Sequence, residues 1–221
     1  MLAFRVKSDI FRTTPYETLG SGLSPGVRYL RQSRRPGKPW TDERGYYAPE
    51  VDFLHNMPAI ISKILRGYTL QVRGTHGVLH WARVLENGLR LAKINGADEE
   101  VIALFALFHD SRRVNESRDD GHGLRGAELA QSLRGTLISL EDSRFDLLFQ
   151  ACDLHTEGLT EGDPTLLACW DADRLDLGRV RIMPEPERLC TNAARDLLEW
   201  ANARAASNHE PADVLASWGL K

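Results

Sequence analysis

The chain has 221 residues, 42% of them hydrophobic, and its 28 basic side chains nearly balance its 31 acidic ones. This length and hydrophobic content predict one compact domain with an appendage, and the net charge of −3 argues against extended nucleic acid as a partner. The longest apolar run, residues 101–108, is too short to span a membrane and residues 1–10 lack a signal-peptide pattern, so we expect a cytoplasmic protein without a membrane partner.

Residues 1–56 show no helical or alternating pattern that lasts. Prolines interrupt the stretch repeatedly, at Pro15, Pro25, Pro36, Pro39 and Pro49. Because proline fits neither a helix interior nor a central strand, this spacing favours irregular structure. We predict an irregular N-terminal extension over residues 1–56 and a helical domain over residues 57–221.

Helical patterns begin at Met57 and follow one another along the rest of the chain. The second predicted helix covers about residues 75–95, and Asp98 has the properties of an N-cap for the third. Residues 101–108 within that third helix are apolar on every side, which predicts a position at the centre of a bundle.

Four further helices are predicted after this central one. The first covers residues 122–133, and the second is capped by Ser139 and stops at Gly158. Asp163, followed by a proline, opens a third that runs through Leu177, and an amphipathic helix follows it. No strand pattern of convincing length appears. The predicted fold class is therefore all-α, a single helical bundle.

Residues that can bind a metal end or interrupt several of these helices. His109 and Asp110 directly follow the apolar helix, where an unpaired imidazole and carboxylate are costly to bury. A divalent cation satisfies both groups, and the negative end of the helix dipole also favours a cation. The pair alone leaves open a simple buried hydrogen bond between the two side chains.

Similar side chains occur on other predicted helices. His155 lies on the buried face of its helix, Asp173 lies on an apolar stripe, and Asp171 lies to one side of that stripe. His76 and His80 are four residues apart and are predicted to share a helix face. For each one singly, the alternative is a hydrogen-bonded core histidine or a solvated carboxylate. Because several point inward from different helices, we interpret them as ligands of a shared metal.

Three motifs, taken in order, resemble the HD-domain metal-dependent phosphohydrolases. They are His-x-x-Arg-Val at residues 80–84, His-Asp at residues 109–110 and Ala-Asp-Arg-Leu at residues 172–175. Each motif is short, and their order makes the set specific. The resemblance implies an HD-type helical domain over residues 57–221 that hydrolyses a phosphate ester, in a nucleotide or a related small molecule.

The resemblance also implies a metal site. The four residues that it assigns to one divalent ion are His80, His109, Asp110 and Asp173. The ion could be Mn, Mg, Co, Zn or Fe. His122 and His155 occupy the place where members with two metals, or with further substrate contacts, carry additional histidines. The number of ions, one or two, and an exchange of His80 for His76 are both left open.

Candidate catalytic and substrate-binding residues lie beside these ligands. Asp110 can both bind a metal and orient the attacking hydroxide, and Arg113 and His122 are the other candidate catalytic residues. The candidate substrate ligands are His76, Arg112, Arg125 and Arg174. Arginines supply the cations that a transferring phosphoryl group requires, although each arginine could instead lie at a solvated surface.

Position 113 departs from the family pattern. Nucleotidase members often carry a glutamate there, three residues after the aspartate of the His-Asp pair, whereas this chain has Arg113. Glu116, Asp119 or Asp120 could substitute for that glutamate as an acid or base.

Two other functions are compatible with the same residues. The departure at position 113 keeps open a regulatory module that binds a nucleotide without hydrolysing it. Because histidine and carboxylate ligands also suit iron, a di-iron HD-type oxygenase is the other alternative. The expected partner of a phosphohydrolase is a small-molecule phosphate, and a homo-oligomer is left open.

Overall fold

The computed structural model describes residues 56–220, and the ordered elements within them are helical. The α-helices are α1 (Met57–Leu65), α2 (Val78–Asn95), α3 (Glu99–Phe108), α4 (His122–Leu133), α5 (Asp142–Leu154), α6 (Pro164–Arg174), α7 (Asn192–Ala206) and α8 (Ala212–Ser217). Short 3₁₀ helices lie between α6 and α7, at Leu177–Val180 and Pro186–Arg188. Residues 56–220 contain no β-strand, which confirms the all-α prediction. The predicted extension lies, apart from Asn56, outside the described residues.

Helix α3 lies at the centre of the bundle, as its uniform apolar character predicts. All eight residues from Val101 to Phe108 are buried. The helix packs against α2, α4, α5 and α6. A helix that is apolar on all sides is stable only when neighbours cover every face, and these four neighbours do so.

The N-terminus of α3 is held by the cap that the sequence predicts. The Asp98 carboxylate accepts hydrogen bonds from the backbone N–H groups of Glu100 and Val101, both at 3.1 Å. The Arg144 guanidinium of α5 donates to both carboxylate oxygens of Asp98, at 2.6 and 2.8 Å. This bidentate ion pair ties α5 to the start of α3 and fixes the position of α3 along the bundle.

Several predicted helix boundaries are wrong. Helix α2 begins at Val78 rather than near residue 75, and α5 begins at Asp142 with Glu141 at its N-cap, so Ser139 is not the cap. Helix α6 ends at Arg174 instead of continuing through Leu177. The break after α6 matters for the site, because it turns the following residues back toward α2. Helix α8 was not predicted.

Apart from the uniformly apolar α3, the helices of the described region are amphipathic or short and pack on the common core. Its largest fully buried side chains include Trp81, Trp170, Trp218, Phe105, Phe108 and Phe145. Within residues 56–220, no helix combines the length and the apolar character that crossing a membrane requires.

Candidate metal centre

The ends of several helices meet at one buried point. His109 is the C-cap residue of α3, His155 is the C-cap residue of α5, and Asp173 lies in the last turn of α6. Three helix C-termini therefore direct their negative dipole ends toward the same region, which favours a cation there. His80, in the first turn of α2, and His122, the first residue of α4, complete the cluster.

The first donor group consists of His80, His109, Asp173 and the Oδ2 atom of Asp110. The Nε2 atoms of His80 and His109 are 3.0 Å apart. Asp110 Oδ2 lies 3.5 Å from His80 Nε2 and 3.7 Å from His109 Nε2. Asp173 Oδ1 lies 3.3 and 3.9 Å from the same two nitrogens. The two histidine nitrogens, from α2 and the end of α3, thus lie close to each other and to both carboxylate oxygens.

These separations fit a single divalent cation. First-row metals bind nitrogen and oxygen ligands at about 2.0–2.2 Å, so adjacent ligand atoms are about 3.0–3.5 Å apart. The distances of the two histidine nitrogens from each other and from the two carboxylate oxygens, 3.0 to 3.9 Å, are close to that range. His80, His109 and Asp110 are all buried, where unpaired polar groups are costly. His80, His109 and Asp110 could therefore hold a metal ion, and Asp173 lies beside both histidines.

The second donor group consists of His122, His155 and the Oδ1 atom of Asp110. His122 Nε2 lies 3.0 Å from His155 Nε2 and 3.1 Å from Asp110 Oδ1. His155 Nε2 is 3.9 Å from the same oxygen. The two oxygens of Asp110 thus face different donor groups, and by distance alone the second group could also hold an ion.

Each imidazole in the cluster is oriented by an acceptor outside it. His80 Nδ1 lies 2.7 Å from the Asp176 carboxylate. In the other three histidines Nδ1 contacts a backbone carbonyl oxygen: His109 that of Phe105 at 3.1 Å, His122 that of Asp119 at 2.6 Å, and His155 that of Cys152 at 2.7 Å. Because these oxygens only accept, each Nδ1–H donates and Nε2 faces the cluster. This is how histidine ligands are oriented in metal sites.

Burial and neighbouring charges set the protonation of the first donor group. Burial lowers the pKa of His109 to about 3, so this ring is neutral. Burial opposes protonation of His80 too, but hydrogen bonds with Asp110, Asp173 and Asp176 outweigh it and raise its pKa to about 9. Burial raises the pKa values of Asp110 and Asp173, but the adjacent histidines lower them by more, so both values lie below the usual range. A metal ion bound here would compete with a proton for His80.

Arg113 lies against the second donor group. Its Nη1 atom is 3.1 Å from His122 Nε2 and 3.4 Å from Asp110 Oδ1. The rest of the guanidinium donates to the carbonyl oxygens of Asn115 and Ser117. The predicted catalytic trio of Asp110, Arg113 and His122 is thus brought together in one buried hydrogen-bonded group.

His76 lies beside the cluster but not on α2. Because α2 begins at Val78, the expectation that His76 and His80 share a helix face is wrong. The two rings are edge to face with centroids 6.4 Å apart. His76 Nδ1 is 2.5 Å from the Glu116 carboxylate, and the Tyr68 hydroxyl donates to the His76 carbonyl oxygen. Glu116 therefore orients His76, as Asp176 orients His80.

The three other predicted substrate ligands bond elsewhere. Arg112 donates to the carbonyl oxygens of Ile64 and Ser111. Arg125 pairs with Asp119 at 2.6 Å and also donates to the Arg112 carbonyl oxygen. Arg174 donates to the carbonyl oxygens of residues 159 and 188. The structure thus places these arginines in backbone contacts outside the donor groups.

Two residues that support His80 received no role from the sequence. Asp176 accepts from His80 Nδ1 with one oxygen, and its other oxygen accepts from Arg83 Nε at 2.6 Å. Arg83 Nη2 adds a third bond at 3.1 Å, so Asp176 is neutralised on both sides. Arg83 belongs to the first motif quoted for the resemblance, and Asp176 directly follows the last one. Arg83 lies three residues after His80, and Asp176 lies three residues after Asp173. This spacing from the two candidate ligands was a signal that could have identified both residues.

Asp171 has a structural role that differs from that of Asp173. It is fully buried and accepts hydrogen bonds from the backbone N–H groups of Cys190 and Thr191 and from the Thr191 hydroxyl. Burial raises the pKa of this carboxyl. Asp171 thereby holds the segment before α7 against α6, while Asp173 faces the histidines.

Two glycines of α4 allow the second donor group to form. A Cβ atom on Gly126 would lie 2.1 Å from the Phe108 carbonyl oxygen, and one on Gly123 would lie 2.2 Å from the Cys152 carbonyl oxygen. Only hydrogen atoms fit at these two contacts. Helix α4 therefore approaches the ends of α3 and α5 closely enough to place His122 against Asp110 and His155.

Comparisons with family models, with curated proteins and with solved structures returned no match for this chain. Support for a metal centre therefore comes from the chain's own geometry. That support consists of buried histidine and aspartate side chains with converging donor atoms, matched distances and oriented rings.

Proposed function

We propose that the protein is a metal-dependent phosphohydrolase of the HD type that acts on the phosphate ester of a nucleotide or a related small molecule. The observation that carries the proposal is the convergence of His80, His109, Asp110 and Asp173 on one point, with Asp110 facing two donor groups. A divalent cation in such a site lowers the pKa of a coordinated water and polarises a phosphoryl oxygen.

The residues around the donor groups have separate roles in this proposal. Asp110 and Asp173 are the anionic ligands, and the Asp110 carboxylate orients the attacking water. Arg113 supplies a fixed positive charge next to Asp110, where the charge of a transferring phosphoryl group needs compensation. Glu116 holds the Nδ1–H of His76, which leaves His76 Nε2 to hydrogen-bond the substrate.

Substrate access is supported on the side of Asp173 and His76. The side chains of His80 and His109 have no exposed surface, whereas those of Asp173 and His76 are 19% and 12% exposed. Glu116, beside His76, is exposed. A small phosphate ester would reach the buried histidines past one of these partly exposed side chains. The net charge of −3 argues against an extended nucleic acid as the substrate.

Phosphate release measures this activity directly. The full chain is stripped with a chelator, reloaded with Mn, Mg, Co, Zn or Fe(II), and assayed against nucleoside monophosphates, di- and triphosphates and sugar phosphates. We expect turnover with at least one metal and a loss of more than about 100-fold in kcat for Asp110→Asn. Asp146→Asn, an exposed position on α5, is the matched control and keeps full activity.

Two results would contradict the proposal. One is a metal-loaded protein without turnover on any of these esters, and the other is an Asp110→Asn variant that remains fully active. Tight nucleotide binding without phosphate release would support the regulatory module instead.

A di-iron oxygenase is the second candidate, favoured by the bridging position of Asp110 between two donor groups. Two iron ions per chain after anaerobic purification, with a visible absorption band in air, would support it. The presence of Arg113 in the second group argues against it, because a guanidinium and a second metal would use the same atoms.

A further inference from the structure

The position of the Arg113 guanidinium distinguishes the second donor group from the first. Nη1 contacts His122 Nε2 at 3.1 Å and Asp110 Oδ1 at 3.4 Å. Nε and Nη2 donate to the carbonyl oxygens of Asn115 and Ser117. Only 9% of the Arg113 side chain is exposed. The guanidinium is therefore fixed on both sides, by the backbone of one loop and by the donor group.

The contacts of Nη1 use the lone pairs that a second metal would need. His122 Nδ1–H donates to the Asp119 carbonyl oxygen, so His122 Nε2 faces the donor group, where Arg113 Nη1 lies 3.1 Å from it. Asp110 Oδ1 accepts from the same guanidinium nitrogen. An arginine stays protonated under all ordinary conditions. A divalent ion bound to these atoms would lie against a fixed positive charge in a buried site, where the repulsion is strong.

The first donor group contains no such cation. Its four donor atoms come from two histidines and two carboxylates, and Asp176 supports it from behind His80. Arg83 and Arg179 lie behind Asp176 rather than among the donor atoms. The first group therefore retains the negative charge that a divalent ion requires, whereas Arg113 neutralises the second.

We propose that Arg113 takes the place of a second metal ion, so that the centre binds one divalent ion, at His80, His109, Asp110 and Asp173. His122 and His155 then position Asp110 and Arg113 instead of binding metal. This inference rests on the metal centre of the proposed function. It makes the guanidinium a permanent second cation beside the site, with a charge that does not depend on metal supply.

Metal stoichiometry tests the inference without any activity assay. Chelator-stripped full-length protein is dialysed to equilibrium against Mn or Co, and bound metal per chain is measured by plasma mass spectrometry. We expect one ion for the unaltered protein and two for Arg113→Met. The Mn-loaded variant should also give the electron paramagnetic resonance signal of a coupled pair, which the unaltered protein lacks. Arg118→Met, an exposed arginine of the same loop, should bind one ion.

A second pair of variants keeps the test valid if Arg113→Met does not fold. His122→Gln should retain one ion with an affinity lowered by about 10-fold, because His122 only positions Asp110, whereas His109→Gln should lose the ion. Two ions in the unaltered protein, or one ion in a folded Arg113→Met, would overturn the inference and leave the proposed function standing. No bound ion in the unaltered protein would remove the metal centre itself and the proposed function with it.

Discussion

The two donor groups on either side of Asp110 have similar ligands but different surroundings. Each contains two imidazole Nε2 atoms about 3.0 Å apart and one oxygen of the same carboxylate. The first group adds the Asp173 carboxylate, whereas the second adds the Arg113 guanidinium. The two groups therefore differ in charge more than in the distances between donor atoms, and we expect that charge to decide which of them binds a cation.

The largest expected effect concerns the histidines of the two groups. His109→Gln should weaken metal binding by more than about 100-fold, because a buried ligand is lost, whereas His155→Gln should change it by less than about threefold. Isothermal titration with Mn measures both affinities. Equal losses in the two variants would show that the ion is shared between the groups.

The next largest effect is a loss of stability when the close contact between α4 and α3 is disturbed. Gly126→Ala places a Cβ 2.1 Å from the Phe108 carbonyl oxygen, so we expect a destabilisation of about 1–3 kcal/mol in urea unfolding. The displaced α4 carries His122, so the contact of Arg113 should weaken while metal affinity of the first group persists. Gly96→Ala, at a positive φ but with open space around it, should cost only about 1 kcal/mol. A Gly126→Ala variant as stable as the unaltered protein would contradict this packing.

Asp176, which orients His80, allows metal affinity and fold stability to be tested separately. Asp176→Asn keeps the size of the side chain but removes the charge that orients His80 Nδ1–H, so we expect metal affinity to fall about 10- to 100-fold. Asp171→Asn, on the opposite side of the α6 region, should lower the stability of the fold with little change in metal affinity. The same titration, with urea unfolding of both variants, separates the two effects.

The smallest effect should be common to both groups, because Asp110, which contributes an oxygen to each group, lies just after the end of α3. Asp98→Ala removes the α3 cap and should cost about 1 kcal/mol. Burial acts against ionisation, but Arg144 and the capped N–H groups hold the Asp98 pKa below its usual value.

The pH dependence follows from that depressed pKa. The stabilisation by ionised Asp98 is complete above its unfolded pKa, about 3.9, and is lost as the pH falls through the lower folded value. The stability difference between the unaltered protein and Asp98→Ala should therefore shrink below about pH 4 in urea unfolding. A difference that grows in acid would have the wrong sign.

Much of the fold could be predicted because local patterns were strong. The uniform apolar character of residues 101–108 predicted a central helix, and Asp98 predicted its cap. His109, Asp110 and His155 were predicted to point inward from helix ends, and all three are buried. Such features depend on residues within a few positions of one another, so periodicity and capping rules apply to them.

Other features could not be predicted because they depend on contacts between distant segments. Asp176 faces His80 only because α6 ends at Arg174 and the chain turns back toward α2. Neighbouring Arg112 and Arg113 have the same chemistry, but Arg112 bonds to backbone carbonyls beside α1 while Arg113 contacts the second donor group. The two side chains are adjacent in the sequence but lie in different parts of the fold, so one contacts backbone and the other contacts the donor group.

The sequence by itself determined the all-α class, the central apolar helix and the imidazoles and carboxylates that the helices carry, because these depend on local periodicity and side-chain type. The tertiary structure alone decided which oxygen of Asp110 faces which histidines and that a guanidinium lies in the second group. These arrangements matter because an unpaired charge is costly in a buried site, so each charge needs a partner at contact distance. Which partner it finds depends on how distant segments pack.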